Sequence, residues 1–140
     1  MIHMLKLCVG ITDIAHLARV QAERLRTEPP LRHWTRSFPK RREELCDGGS
    51  LYWVISGATL VRQRILDVVE DSWDDGSRCA GILLDPTLVP VVGRPTKPFQ
   101  GWRYLAPEAA PLDLAGQVEA EGAEELPEKL RAELRVLGLL

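Results

Sequence analysis

The most informative stretch of this sequence for the fold is GGSLYWVISGATLVRQRIL, residues 48–66. It holds two runs rich in β-branched and aromatic residues, which are broken at Gly57 and preceded by a glycine turn at Gly48 and Gly49. Runs of this composition between turn residues are typical of β-strands. The stretch therefore predicts two strands, over residues 51–56 and 58–70.

The second predicted strand carries a pair of arginines, Arg62 and Arg64. Residues two apart on a strand point to the same face, about 7 Å from each other. Strict alternation along the whole strand also places Val68 on this face. Two guanidinium groups on a rigid element suit a phosphate or a carboxylate, whose oxygens accept paired hydrogen bonds. The alternative is an ion pair with Glu43, Glu44 or glutamates of the C-terminal tail, which would only close the structure.

Hydrophobic periodicity outlines the elements on either side of these strands. A strand is expected within residues 2–11, and an amphipathic helix over residues 13–26 begins with the capping pair Thr12-Asp13. Residues 31–38 show no clear period and are predicted as loop. The later elements are a short helix from Pro39 to Cys46, strands at residues 79–84, 89–92 and 102–105, and a loop at residues 93–101.

Helices and strands are mixed, with the strands clustered in the middle of the chain. This order predicts an α+β fold with a mostly antiparallel central sheet, curved or barrel-like, and flanking helices. A length of 140 residues suits one domain, which we expect over residues 1–115. Residues 116–140 are predicted to form an acidic linker and a C-terminal helix opened by Pro127.

Charge is strongly segregated along the chain. Residues 19–42 contain eight basic and two acidic side chains, whereas residues 107–133 contain eight acidic and two basic ones. A basic surface attracts nucleic acid and other polyanions. The alternative is that the acidic tail neutralises the basic segment within the fold.

Each basic cluster has an aromatic residue within a few positions. Proteins that bind single-stranded nucleic acid combine a positive groove with aromatic side chains on which bases stack. The candidate binding residues are Trp34, Arg36, Lys40, Arg41, Arg62, Arg64, Gln100, Trp102 and Arg103. In this hypothesis the arginine pair contacts phosphate, the basic residues at 36–41 steer the ligand, and Trp34 or Trp102 stacks a base. The alternative is that the tryptophans belong to the core and the arginines are solvated or paired.

Other chemistries have weak signals in this chain. Cys8, Cys46 and Cys79 are far apart and odd in number, which does not resemble a disulfide framework. No metal site, cofactor or catalytic residue is predicted, because no C-x-x-C, H-x-x-x-H or G-x-S-x-G pattern is present. A basic stretch precedes Cys46 and would lower its pKa, although such a cysteine is also typical of a core.

The chain has no secretory signal pattern and no apolar run near the roughly 20 residues that span a bilayer, so we expect a cytoplasmic protein without a membrane partner.

Five motifs together resemble a bacterial family catalogued as domain of unknown function 1489. They are MLKLCVG at residues 4–10, TRSFPKR at 35–41, GGSLYWVI at 48–55, RQRI at 62–65 and FQGWRYL at 99–105. The resemblance covers residues 1 to about 115. It implies a cytoplasmic single-domain protein and supplies no site residues. A looser similarity connects the glycine turn, the Tyr-Trp strand and the arginine strand with PUA-like RNA-binding modules, as an analogy of fold alone.

The sequence thus favours a small module that binds RNA or a nucleotide. Two alternatives stay open. One is an enzyme that acts on a phosphorylated or carboxylated metabolite held by the same arginines. The other is a protein-interaction module.

Overall fold

The computed structural model describes residues 1–114. Within this range the chain forms seven strands and two helices. In chain order they are β1 (His3–Leu7), α1 (Ile14–Thr27), β2 (Arg32–Thr35), α2 (Arg42–Cys46), β3 (Ser50–Ile55), β4 (Ala58–Ser72), β5 (Arg78–Leu84), β6 (Val89–Pro95) and β7 (Trp102–Leu105), followed by a short 3₁₀ turn at Pro107–Ala109. The C-terminal linker and helix expected after residue 115 lie outside the described residues, so that expectation stays a prediction.

The hairpin of β3 and β4 is the centre of the sheet. Ile55 pairs with Ala58, so only Ser56 and Gly57 form the turn. Both have positive φ angles, 49° and 84°, which is the backbone conformation of a tight two-residue hairpin turn. The two strands expected on either side of Gly57 are confirmed.

The long strand β4 pairs with three others: β3, β5 and β6. The main strand order is β2-β5-β4-β3-β1-β7, with β6 paired to β4 outside this path. The pairing of β1 with β3 is parallel and the other pairings are antiparallel. The α+β class is therefore confirmed, as a mixed sheet. The expected barrel is wrong for the described residues, because β2 and β7 end the path without pairing to each other.

Helix α1 begins where the sequence predicts. The Asp13 side chain accepts a hydrogen bond from the backbone N–H of His16 at 2.7 Å and so caps the first turn. Leu17 and Gln21 are the buried residues of this helix. The core beneath it includes Met4, Leu51, Trp53, Ile55, Val61, Ile65 and Ile82.

Two of the local departures from the sequence-based expectations concern β2 and β4. Residues 31–38 are not all loop, because β2 pairs there with β5. The alternation of β4 breaks at an irregularity between Ile65 and Asp67 in its pairing with β5. Leu66 is 54% exposed and Val68 is 1% exposed, so Val68 does not share the face of the arginines. A β-bulge shifts the register by one residue in this way.

Gly49 joins α2 to β3 where three segments meet. Its N–H donates to the carbonyl oxygen of Leu45 at 3.1 Å. A Cβ atom at this position would overlap the backbone oxygens of Ile2 and Leu45. Glycine is therefore required at this turn, because the backbone of residue 49 packs closely against the end of α2 and the residue before β1.

Candidate functional site

An aromatic and cationic cluster lies where β7 meets the start of α2. Trp102 and Tyr104, two apart on β7, form an edge-to-face pair with ring centroids 4.9 Å apart and an interplanar angle of 80°. The Arg41 guanidinium lies 5.4 Å from the Tyr104 ring centroid. The Arg41 backbone N–H also donates to the Tyr104 hydroxyl at 3.0 Å. We call Arg41, Trp102 and Tyr104 the β7 cluster.

Further predicted residues lie beside the β7 cluster. Lys40 precedes Arg41 and is exposed, as is Gln100, which lies in the loop before β7. Arg103 is exposed on the other face of β7, with its guanidinium 4.6 Å from the Phe99 ring centroid. Of the nine predicted residues, Lys40, Arg41, Gln100, Trp102 and Arg103 therefore belong to this region.

The charge of Arg41 is partly neutralised by Glu44. Arg41 Nε and Nη2 donate to the two Glu44 carboxylate oxygens at 2.5 and 2.7 Å. The hydrogen bond from Arg41 lowers the pKa of Glu44. Both side chains are exposed, where such a pair adds little stability and can exchange partners. Arg41 can thus turn toward an anionic ligand at small cost. Lys40 and Arg103 form no ion pair within residues 1–114.

The arginine pair of β4 is placed differently. Arg62 and Arg64 lie on the same face, but Arg62 donates two hydrogen bonds of 2.7 Å to Asp113 and a third of 3.1 Å to the Ser50 hydroxyl. Arg64 is exposed and makes no ion pair with any residue of the described part of the chain. Arg62 therefore forms an ion pair, which was the alternative to ligand binding. Its partner is Asp113 and not one of the glutamates that the sequence suggested. A role of Arg62 in anion binding stays a prediction that requires Asp113 to release it.

Trp34 and Arg36 lie at the other end of the sheet. The Trp34 indole N–H donates to Asp71 at 2.9 Å, and this hydrogen bond is the largest cause of the lowered pKa of Asp71. Arg32 lies 5.8 Å from the Trp34 ring centroid and contacts Asp71 at 3.4 Å. Arg36 is exposed just after β2. Because β2 and β7 end the strand path on opposite sides, the structure does not join Trp34 and Trp102 into one cluster.

The cysteines show no activation for nucleophilic chemistry. Burial raises the pKa of Cys46, and nearby Asp67 raises it further, although Arg42 opposes the rise. The expected lowering of this pKa is therefore wrong. Burial also raises the pKa of Cys79, and that of Cys8 to about 11. All three residues are thiols rather than thiolates near neutral pH.

Two further observations concern metals and membranes. No group of three or more His, Cys, Asp or Glu residues within positions 1–114 is arranged to hold a metal ion. Neither described helix is long and apolar enough to cross a membrane.

Sequence reasoning missed one set of cations. Lys6 and Arg24 line a cavity beside α1 together with His33. The available signal was Lys6, a lysine within a mostly apolar strand, whereas Arg24 belongs to an ordinary polar helix face. These residues meet only through the packing of α1 on the sheet.

Comparison with known proteins adds one finding. A family model described as "Protein of unknown function (DUF1489)" matches residues 4–140. The expectation that the resemblance ends near residue 115 is wrong, because the match continues to the end of the sequence. Neither a curated protein nor a solved structure matches the chain significantly.

Proposed function

Because the chain belongs to the DUF1489 family, which is described only as of unknown function, we propose its activity from the site itself: it binds RNA or a nucleotide. The β7 cluster is the binding surface. The single observation that carries this proposal is the contact of Tyr104 with both Arg41 and Trp102, beside the exposed cation Lys40.

The chemistry of the β7 cluster suits a base and its phosphate. Trp102 is half-buried, so one part of its ring is fixed by the core and the rest is accessible for stacking. Base stacking on an aromatic ring contributes about 1–3 kcal/mol per base and tolerates any sequence. Lys6 is directly opposite Trp102 in the β1–β7 register, so their side chains share a face. The stacking ring thus has a cation next to it that can reach a phosphate.

The protein's compartment forms part of the proposal. Cys8, Cys46 and Cys79 are free cysteines, which fits a reducing compartment such as the bacterial cytoplasm. The similarity to PUA-like modules stays a prediction, and the proposal does not depend on it.

The first test is a fluorescence titration of the full chain with short single-stranded RNA at low and moderate salt. We expect saturable quenching that weakens with salt, since phosphate contacts release counterions. Replacing the exposed cation next to Arg41, as in Lys40→Gln, should lower the salt slope by about 0.7. The matched control is Arg78→Gln, an exposed arginine at the start of β5, which should leave affinity and slope unchanged.

The same titration separates the alternatives. Binding of a mononucleotide as tight as that of an oligonucleotide would favour the enzyme alternative, in which a small phosphorylated metabolite is the substrate. No response to RNA at low salt, combined with dimerisation that depends on concentration, would contradict the proposal and favour a protein-interaction module. If Arg78→Gln and Lys40→Gln weaken binding equally, the attraction is nonspecific and the β7 cluster is not the binding surface.

A further inference from the structure

A cavity of about 210 Å³ lies between α1 and the sheet. Its walls come from the end of β1, one face of α1, the start of β2 and the side chain of Trp53 on β3. Leu17, Leu31 and Leu84 supply apolar surface. The volume is below the usual range for drug-sized ligands, about 300–1,000 Å³, and so suits a small molecule.

The charge on the cavity wall has a single sign. Lys6, Arg24 and Arg32 line it, and none of its described lining residues carries a carboxylate. Arg32 has a partner in Asp71 at 3.4 Å. Lys6 and Arg24 form no ion pair with any residue from 1 to 114. Two cations that line one small cavity repel each other. An anion bound between them would attract both, so the net electrostatic interaction would become favourable.

The charges of Lys6 and Arg24 act on two further residues that line the same cavity. Burial, together with the charges of both cations, lowers the pKa of His33 to about 4. The same two charges act on the Cys8 thiol, where they oppose the rise of its pKa to about 11. The positive charges of β1 and α1 therefore converge on His33 and Cys8, which both line the cavity.

The cavity wall is rigid where an apolar ligand group would rest. The Trp53 indole N–H donates to the Gln63 side-chain oxygen at 2.8 Å, and Gln63 exchanges two hydrogen bonds of 2.7 Å with Gln21 of α1. His33 packs edge-to-face on Trp53 with centroids 5.0 Å apart. The His33 Nε2 is buried and has no hydrogen-bond partner among the described residues. This ring nitrogen can therefore form a hydrogen bond with a ligand. A wall held in this way needs little reorganisation on binding.

We propose that this cavity binds a small organic anion, whose carboxylate or phosphate lies between Lys6 and Arg24 and whose apolar body packs against Trp53. The site goes beyond the RNA surface, because Arg24, His33 and Trp53 are not part of the β7 cluster. Cys8 is a protonated thiol, so the site holds its ligand without covalent attack. The two sites adjoin at Lys6, which is opposite Trp102 in the register of β1 and β7.

The test uses the full chain with benzoate and phenyl phosphate as probes, and benzyl alcohol as the uncharged counterpart. Calorimetry should detect binding of at least one anion and no binding of the alcohol. Arg24→Gln should weaken anion binding about tenfold, the usual effect of losing one charged hydrogen bond. Arg19→Gln is the matched control, because Arg19 is exposed on the same helix and does not line the cavity. The relative affinities of the two anions identify the preferred head group.

A second readout separates binding in the cavity from binding elsewhere. NMR titration of the His33 ring should show its pKa rising when the anion is bound, because a nearby negative charge stabilises the imidazolium. Arg103→Gln should leave this response unchanged, whatever its effect on RNA. Failure of both anions to bind at about 10 mM would overturn the proposal, since sites of useful affinity are occupied at that concentration. Equal weakening by Arg19→Gln and Arg24→Gln would overturn it too.

Discussion

Protonation of His33 should make the protein sensitive to mild acid. The ring is half-buried between Trp53 and the cations of the cavity, and burial lowers its pKa from 6.5 to about 4. In the unfolded chain the ring takes up a proton near pH 6.5, whereas the folded protein resists this until about pH 4. The unfolded state therefore binds more protons between these values, and stability falls as the pH falls through this window.

The size of the effect follows from the two pKa values. A site with a pKa of 6.5 unfolded and about 4 folded contributes a loss of about 2 kcal/mol between pH 7 and pH 5. That is a large fraction of a typical folding free energy of roughly 5–15 kcal/mol. His33→Phe should remove this loss, because phenylalanine can keep the edge-to-face contact with Trp53 and does not titrate.

The assay is urea denaturation of the full chain and of His33→Phe at pH 7 and pH 5. The difference between the two proteins isolates His33, since His3 and the carboxylates titrate equally in both. We expect the unsubstituted protein to lose about 2 kcal/mol more than the variant. If both proteins lose the same stability within about 0.5 kcal/mol, the ring is not held neutral and the account of the cavity wall is wrong.

Two further predictions concern the core and the turn beneath the site. Gln63→Leu should cost about 4 kcal/mol in urea denaturation, because the Gln21 amide and the Trp53 N–H lose buried partners, and adding Gln21→Leu should cost less than the sum of the single changes. Additive costs would show that the two amides do not act as a pair. Gly49→Ala should cost about 3 kcal/mol through backbone overlap, measured by thermal or urea unfolding. The control is Gly93→Ala, whose Cβ would meet only an ordinary contact at 3.5 Å, and equal costs would show that backbone overlap at Gly49 is not the cause.

Local patterns in the sequence were enough to predict the central hairpin and helix α1. Alternation and the turn at Gly57 specify β3 and β4, and Asp13 specifies the start of the helix, because each signal lies within a few residues of the structure it determines. Pairing over long sequence separation was not predictable in this way. β2 has no clear alternation and is a strand because it pairs with β5, whose residues come more than 40 positions later.

Contacts between residues far apart in the sequence were also not predictable at the candidate site. Arg62 and Arg64 share a face as the spacing predicts, but Asp113, which neutralises Arg62, comes 51 positions later. The cavity cations Lys6 and Arg24 have no distinctive spacing, and only the packing of α1 on the sheet brings their charges to one wall. Gln63 resembles any polar residue of an amphipathic strand, yet it is fully buried.

The most direct test of RNA or nucleotide binding is a residue-by-residue NMR map of the full chain titrated with a short single-stranded RNA. We expect the Trp102 indole signal and the backbone amides of Arg41 and of β7 to shift, while those of β5 stay unchanged. Shifts concentrated at β2 and β5, or no shifts at low salt, would contradict the assignment of the β7 cluster as the binding surface.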